Sequence, residues 1–516
     1  MWLPRHMPVR ATQCCDVVGR PSEYRRFCGS RVRKRRDTEF ASLCRPSDRP
    51  RISFRNKSKP TAMTSLRTAT LAIIASLFSY SVSAQVVTVG PPGSGAQFEK
   101  IYQAVAAVPP GGTVLVSPGN YIEFGIANIT KPMTLLGVGS ATTSWTLLNL
   151  FGAQPVISVG NLNLGEQVAV VGFTVSSMAG SDAVAAGVSV QNCAGPVLFS
   201  DVVASGYLAA SWSQVTRGVA RVENSTSVTF EHCSFLATSN EPDVATAGLA
   251  VTNSLVHVTD CAIAGNRGHA FFSGGFSDGE VGISAVGSIV RLAGSVVEGG
   301  DGLANSPPGS VSTAMNGAAA VDARMSSQIL VRGGGHNMMQ GGAGTSNGGA
   351  PASYGAGGPA FRLDATSLLS TTPDVVMAAG LDGDHQLTTA SVSGSGLHAV
   401  LPFQLPVVVT EPSLVMPGNA VALSVEGEPS AVCLSLLSLE QVPVFAVPGI
   451  LGRFTLNASL VIPLPTVTLD GLGSGILGVA VPANAGLVGT VAHSQTVSFA
   501  PSGWVAVSSP TFFAVR

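Results

Sequence analysis

Charge is scarce in this sequence. Charged residues make up 11% of its 516 residues, whereas an average soluble domain has about 25%. So low a charge excludes a disordered polyelectrolyte and a charge-laced coiled coil. Glycine is abundant, at 60 residues, but it does not recur at every third position, which excludes a collagen-like chain.

Lysine is almost missing after residue 84. Residues 85–516 contain 11 Lys and Arg, of which only Lys100 and Lys131 are lysines, against 24 Asp and Glu. Residues 1–62 instead contain 16 of the 28 Lys and Arg and 5 of the 29 Asp and Glu. Aromatic residues are also few, at 6%. An acidic segment with few lysines and aromatics is untypical of nucleic-acid-binding domains, so we expect no nucleic-acid partner.

A short apolar segment separates the basic part from the acidic part. Residues 63–67 form a basic start, residues 69–78 form an apolar run, and Val82, Ser83 and Ala84 are the small residues before Gln85. This pattern predicts a secretory signal peptide over 63–84 and a secreted or cell-surface mature chain. The apolar run is too short to cross a membrane, and we predict no transmembrane span in the mature chain.

The segment before the signal, residues 1–62, is Arg-rich and lacks apolar periodicity. One interpretation is a disordered basic arm for targeting or nucleic-acid binding. The alternative, which we favour, is sequence upstream of a true start at Met63.

An internal repeat organises the mature chain. Copies begin about every 30 to 40 residues, and apolar residues alternate within each copy. This is the period of β-strands. Each copy is too small to bury its apolar side alone, so the pattern predicts stacked coils of a β-solenoid. The first residues of the copies are Gly187, Val219, Gly248, Gly282, Ala319 and Gly358.

Aligning the copies predicts which residues stack. One inward row contains Val190, Val222, Val251 and Ala285. A second inward row contains Phe199, Phe230, Val258 and Leu292. The turn between them stacks Asn192, Asn224 and Asn253, followed by Cys193, Ser225, Ser254 and Ser288. Asparagine suits this turn because its amide bonds from coil to coil and tolerates turn backbone.

The start of the mature chain carries a family resemblance. Apolar spacing predicts a short helix over 98–108, followed by GGTVLVSPGNY from Gly111 and KPMTLLGVG from Lys131. This order resembles the opening of right-handed parallel β-helix proteins of the pectin-lyase-like superfamily. The resemblance implies a β-helix over 85–401 whose first coil is capped by the helix.

The chain from 402 to 516 differs, with short alternating strands separated by turns. This predicts a small β-sandwich. The stretch VAVPANAGLVGTVAHSQTVSF near its end resembles a C-terminal module of secreted bacterial repeat proteins. The predicted fold class is therefore all-β, a right-handed parallel β-helix followed by a small β-sandwich.

The resemblance implies a polysaccharide bound in an outer groove. The motifs of its lyases, hydrolases and esterases are not visible, so no catalytic residue is carried over. An outward stripe of charge remains as a set of catalytic candidates, with Asp322 and Asp364 expected as neighbours on adjacent coils. An arginine beside paired carboxylates separates their pKa values. The stripe consists of Arg221, Glu223, Asp322, Arg362 and Asp364. The alternative, which we favour, is a set of surface ion pairs.

Asp382 and Asp384 are candidate calcium ligands, because oxygen ligands at alternate positions suit Ca²⁺. A turn in the last coil is the favoured alternative, and no other cofactor is expected. Glycine-rich stretches at 274–282, 299–310 and 333–358 are either binding loops or tolerated insertions. Cys233 and Cys261 align on successive coils, as a disulfide or, as we favour, as free thiols.

Two functions follow from these features. The first is a secreted or cell-surface protein with a non-catalytic binding or structural role, and polysaccharide or cell-surface components as its partners. The alternative is a polysaccharide-active enzyme, a lyase or glycoside hydrolase that acts in an outer groove of the β-helix. Since fold does not fix function, the sequence leaves open whether the protein is an enzyme.

Overall fold

A computed structural model describes residues 85–149, 155–179, 187–206, 218–237, 247–268, 278–303, 314–333, 337–346, 354–387 and 389–516. The predicted leader at 1–62 and signal peptide at 63–84 lie outside these residues. None of the helices in the described part of the chain has the length and apolar character that a membrane crossing needs.

The first part of the described chain winds into coils with three parallel faces. Each strand pairs in parallel with its equivalents on the coils before and after it, as in the register of Val222 with Val190 and Val251. The predicted right-handed parallel β-helix is therefore confirmed.

We name the faces by their strands. Face 1 contains Val86–Val89, Gly112–Val116, Met133–Leu136, the first halves of Val168–Ala179 and Val197–Gly206, Val228–Glu231, Leu255–Thr259, Ile289–Ala293, Gln328–Arg332, Leu368–Thr371 and Leu397–Val400. Face 2 contains Gly119–Glu123, Thr143–Asn149, the second halves of the same two long strands, Ser234–Ala237, Ala262–Ala264, Val296–Glu298, Met338–Gln340 and Val376–Ala378. Face 3 contains Ala127–Ile129, Ile157–Gly160, Val188–Gln191, Gly218–Glu223, Ala247–Thr252, Ile283–Val286, Val321–Arg324, Phe361–Leu363 and Val392–Gly394.

The interior is filled by the inward positions of all three faces. Both predicted inward rows are confirmed by the strand register and are fully buried. Phe230 stacks on Phe199 with ring centroids 5.3 Å apart and meets Phe235 edge-on at 4.9 Å. Such aromatic pairs add to the burial of apolar area that stabilises the core.

The helix predicted over 98–108 spans Ile101–Ala107 and buries Ile101, Ala104 and Val105 against the first coils. The carboxylate of Glu123 accepts the backbone N–H groups of Ile101, at 2.6 Å, and Tyr102, at 3.2 Å. These bonds satisfy donors that the first turn of a helix leaves free. Glu123 thus fixes the helix on the coil that follows it.

The predicted asparagine stack is present between faces 3 and 1. The amide of Asn224 donates to Asn192 at 3.2 Å, and that of Asn253 donates to Asn224 at 3.3 Å. All three residues have a positive φ, between 47° and 54°. Asparagine adopts this left-handed conformation more readily than most residues.

Side-chain acceptors form a second ladder beside the asparagines. The backbone N–H of Ser225 donates to Ser254 Oγ at 3.0 Å, and that of Ser254 donates to Ser288 Oγ at 3.2 Å. Between faces 1 and 2, Cys233 N–H donates to Cys261 Sγ at 3.3 Å in the same way. Both cysteines are buried free thiols, as favoured from the sequence. Cys261 thus occupies an acceptor position of the ladder, and Ser295 fills the same position on the next coil by accepting the N–H of Cys261.

Described parts of the glycine-rich stretches pack as a layer between faces 2 and 3. Gly300 N–H donates to Glu280 O at 2.7 Å, and Ala318 N–H donates to Gly300 O at 2.9 Å. A Cβ at Gly300 would overlap the carbonyl of Asn266, so only glycine allows this approach. We call these segments the glycine-rich layer: 265–268, 278–282, 299–303, 314–320, 340–346, 354–360 and 378–383.

The C-terminal part contains antiparallel sheets with their own apolar core, in agreement with the predicted sandwich. Its strands are Val407–Glu411, Leu414–Val415, Ala420–Glu426, Val432–Ser438, Gln441–Phe445, Phe454–Leu456, Ile462–Pro463, Val467–Thr468, Ser474–Ala480, Val491–Phe499, Val505–Val507 and Thr511–Val515. Two short 3-10 helices, Ala458–Leu460 and Ala485–Leu487, complete it.

The sandwich docks on the outside of face 1. Leu136 and Leu198 of face 1 pack with Val491, Phe512 and Ala514 of the sandwich in one buried apolar cluster. This docking removes much of face 1 from solvent.

Candidate functional site

The charged stripe predicted from the sequence lies on face 3, but it forms two neighbouring outward rows. Arg221 shares its row with Asp322 and Arg362, whereas Glu223 belongs to the next row. Arg221 and Glu223 form an ion pair on one strand, with Nε 2.7 Å from Oε1. This pair is partly exposed and stands apart from the other candidates.

Asp322 lies directly opposite Arg362, so Asp364 is on the adjacent coil, as expected, but diagonal to Asp322. Side chains alternate along a strand, and Asp364, two residues after Arg362, falls into the next row. Asp322 is buried and pairs with Arg324 of its own strand. Arg362 itself is exposed.

Asp364 serves the turn that follows its strand. Its carboxylate accepts hydrogen bonds from Ser367 Oγ at 2.7 Å, from the backbone N–H of Met325 at 2.6 Å and from Thr366 Oγ1 at 2.9 Å. These bonds, that of Ser367 first, lower the pKa of Asp364 to about 2. A carboxylate so fully bonded has a local structural role and is poorly placed to act as a base.

Glu280, at the edge of face 3, is a titratable group that the sequence analysis missed. Burial raises its pKa to about 7, the charge of Asp278 adds to the rise, and Arg362 opposes it. Asp278 accepts the backbone N–H of Asn316 at 2.8 Å. The signal in the sequence was Asp278-Gly279-Glu280, but nothing in a single sequence indicates that Glu280 is desolvated.

The two calcium candidates lie at a turn near the end of the β-helix. Asp382 is buried, and its carboxylate accepts the N–H of Gly357 at 2.6 Å. Asp384 accepts the N–H of Gln386 at 3.1 Å. Within the ranges that the structure covers, no group of three or more His, Cys, Asp and Glu is placed to hold a metal ion. Calcium binding here stays a prediction.

An open cleft of about 410 Å³ lies where face 2 meets the glycine-rich layer. Three successive coils build it in register, because Leu236 pairs with Ala264 and Ala264 pairs with Glu298. It is lined by Leu236, Ala237, Ala264, Gly265, Asn266, Arg267, Glu298, Gly299, Gly300 and Asp301.

The charges of the cleft are fixed by contacts between coils. Arg267 Nη2 lies 3.3 Å from Asp301 Oδ2, and both side chains are exposed. The other oxygen of Asp301 accepts the N–H of Ala343 at 2.8 Å. The cleft therefore presents held polar groups beside the partly exposed apolar side chain of Leu236. None of these residues stands out in the sequence, because the cleft exists only once the coils are stacked.

Together these features define a class of fold, a right-handed parallel β-helix followed by a C-terminal β-sandwich. No protein-family model matches the sequence, and a search of curated proteins finds no similar sequence.

Solved structures give only a remote likeness. A pectin methylesterase mutant in complex with a hexasaccharide is 12% identical, with 61% of this chain and 92% of that chain covered and a TM-score of 0.27. The enzymatically active domain of tailspike protein 2 of bacteriophage CBA120 is 11% identical, with 78% and 72% covered and a TM-score of 0.28. A tailspike capsular polysaccharide depolymerase of Acinetobacter baumannii bacteriophage Fri1 is 10% identical, with 83% and 88% covered and a TM-score of 0.21. At these scores the fold assignment rests on the strand register of the chain itself.

Proposed function

We propose that this is an exported, non-catalytic protein that binds polysaccharide in the cleft beside face 2. The observation that carries the proposal is that three successive coils line one open cleft in register. Coils repeat every 4.8 Å or so, at about the spacing of neighbouring strands. This repeat is comparable to the length of one hexose unit in an extended glycan, so a bound chain of about three units would follow the solenoid axis.

The lining suits sugar rings. Arg267, Glu298 and Asp301 offer donors and acceptors to hydroxyl groups, while Leu236 offers an apolar surface to the C–H face of a ring. A few placed polar groups on an apolar base are typical of small-ligand sites. Export is supported by the predicted signal peptide over 63–84.

The non-catalytic part of the proposal rests on three carboxylates that are bonded within the protein. Glu298 of the cleft is exposed, but among the described residues it lacks the second free carboxylate beside it that glycoside hydrolysis uses. Asp301 bonds to Arg267 and Ala343, Asp322 pairs with Arg324, and Asp364 is held by its turn. Each is therefore committed to a contact within the protein. A nucleophile or general base has to be free to reach the reacting atom.

The proposal is tested by affinity electrophoresis of the purified protein in gels that contain acidic or neutral polysaccharides, with and without calcium. We expect one class of polysaccharide to retard the protein, and the double variant Arg267→Ala/Asp301→Ala to bind at least about tenfold more weakly, which is 1.4 kcal/mol. The matched control is Arg221→Ala/Glu223→Ala, which removes an ion pair from face 3.

Three outcomes contradict the proposal. The first is no retardation by any polysaccharide, and the second is an equal loss in both double variants. The third is release of reducing ends or unsaturated products, which contradicts the non-catalytic role. A calcium requirement that Asp382→Asn removes would support the candidate ligands there.

Glu280 favours a second candidate function, a polysaccharide-active enzyme. With a pKa of about 7 its carboxyl group is largely protonated in mildly acidic solution and about half protonated at neutral pH, so it can act as a general acid. Product release that disappears in Glu280→Gln, and that falls as pH rises above about 7 in the parent protein, would establish this function. Unchanged product release in the variant would exclude Glu280 as the acid.

A further inference from the structure

Three basic side chains of face 1 lie together under the sandwich. His257 pairs in register with Arg291 of the next coil. Arg291 pairs in register with Leu330 of the following coil, and Arg332 lies two residues after Leu330. Arg291 and Arg332 are therefore diagonal neighbours on the same outward side. The exposed fractions are 0% for His257, 7% for Arg291 and 1% for Arg332.

Several donors of this cluster have no partner among the described residues. Arg332 Nη1 donates to Pro406 O at 3.3 Å and to Val507 O at 3.2 Å, but its Nε and Nη2 donate to nothing. His257 Nδ1 lies 3.3 Å from Ser509 Oγ, while its Nε2 is unpartnered. Leaving a buried donor without a partner is costly, and more so for a charged group.

The cluster is also uncompensated in charge. Burial lowers the pKa of Arg332 to about 9, with a further contribution from Arg291. Burial lowers the pKa of Arg291 to about 10, with a further contribution from Arg453. Among the described residues, no carboxylate is a cause of either change. The pKa of His257 is also lowered, by burial first and then by Arg291 and Arg332.

The buried carboxylate of face 1 does not fill this gap. Glu231 is separated from Arg332 by three coil steps, through Thr259 and Ala293, which is about 14 Å. Glu231 is moreover bound to Thr410 and to the N–H of Phe512. Water could satisfy the free donors, but it would leave two buried positive charges without a counter-charge.

We propose that a small inorganic anion of the halide class binds between face 1 and the sandwich, on the Nε–Nη2 edge of Arg332 and beside Arg291. The Nε–H and one Nη2–H of that edge point in nearly the same direction, so a single anion seated against the edge can accept from both. The anion satisfies the free donors and supplies the missing negative charge. It links face 1 to the segments of the sandwich that contact Arg332 and His257, at Pro406, Val507 and Ser509.

Bromide is the probe, because it has the charge of chloride and scatters anomalously. Crystals of the full chain grown or soaked in sodium bromide should show an anomalous peak in contact with Arg332 Nε and Nη2. An ordered water there, or bromide bound only at the protein surface, overturns the proposal. Soaks in sulfate give the second arm, and a tetrahedral oxyanion seated on the same edge would overturn the halide class while retaining the anion site.

Thermal unfolding supplies a test in solution. Replacing a bulky organic anion by bromide at constant ionic strength should raise the Tm by about 2–5 °C, since a ligand of the folded state stabilises it by mass action. Arg332→Met should remove this dependence, whatever the Tm of the variant itself. Arg221→Met, which removes a partly exposed arginine from face 3, should retain it. A Tm that bromide leaves unchanged in the parent protein contradicts the proposal.

Discussion

Face 1 and face 3 are built by the same coils but differ in what lies outside them. On face 3, Arg221 and Glu223 pair with each other at the surface. On face 1 the sandwich buries Glu231, whose carboxylate is shared among donors from two sandwich strands. An outward glutamate therefore forms a partly exposed ion pair on face 3, whereas on face 1 it forms a buried polar junction with the sandwich. The function of an outward charge in this solenoid depends on the second domain.

The largest effect is expected where the sandwich depends on one carboxylate. Glu231→Ala leaves buried donors of Thr410, Thr511 and Phe512 without an acceptor. We expect a loss of about 3–5 kcal/mol in the free energy of unfolding, measured in urea. Glu223→Ala, on the open face, should change it by no more than about 1 kcal/mol. Equal losses in the two variants would abolish the contrast between the faces.

The stability of the glycine-rich layer is expected to depend on close backbone packing. Gly300→Ala places a Cβ against the carbonyl of Asn266 in the glycine-rich layer, which should lower the free energy of unfolding by about 1–3 kcal/mol. The control is Gly478→Ala in the sandwich, where a Cβ meets no atom within 4 Å. If Gly300→Ala and Gly478→Ala lower the free energy of unfolding in urea equally, the backbone at Gly300 does not pack closely enough to require glycine.

Acid is expected to destabilise the contact between the sandwich and face 1, because it contains a buried histidine. His493 is buried, with Nε2 2.9 Å from Gln167 Oε1 and Nδ1 3.0 Å from Gln441 Nε2. Burial lowers its pKa to about 3. In the unfolded chain this histidine binds a proton near pH 6.5, whereas in the folded chain it stays neutral. The contribution of His493 to the free energy of unfolding is therefore fully present above pH 6.5 and is lost as the pH falls toward 3.

By pH 5 the loss from His493 should reach about 2 kcal/mol. The measurement is the free energy of unfolding between pH 7 and pH 5, where His493→Gln should flatten the fall and His385→Gln, at an exposed turn, should not. Parallel pH profiles for all three proteins would show that His493 is not held neutral by the fold.

The smallest expected effect concerns the ladder between faces 3 and 1. Asn224→Ala removes amide bonds to Asn192 and Asn253 and leaves alanine at a φ of 47°. We expect a loss of about 1–2 kcal/mol. Asn224→Gly keeps the conformation and loses the bonds, so its stability in urea should lie between those of the parent and the alanine variant. A glycine variant weaker than the alanine variant would show that conformation is not the limiting factor.

The repeat pattern predicted the inward rows, the asparagine stack and the stacked serine positions beside it, because strand alternation and coil stacking are local properties. It placed Arg221, Asp322 and Arg362 on an outward side correctly. It did not identify Glu231, His257, Arg291 and Arg332 as buried, since alternation gives only in or out and does not indicate which outward face the sandwich covers. The cleft was missed for a related reason, because Leu236, Arg267 and Asp301 come from three different coils.

Hydrogen exchange with a bound oligosaccharide tests the account most directly. With the polysaccharide class identified by electrophoresis, an oligosaccharide of that class should slow amide exchange in residues 262–268 and 296–303, which line the cleft. Exchange in 218–223 of face 3 and in the sandwich should not change. Protection on face 3 instead, or no protection in the described coils, would contradict the assignment of the cleft as the binding site.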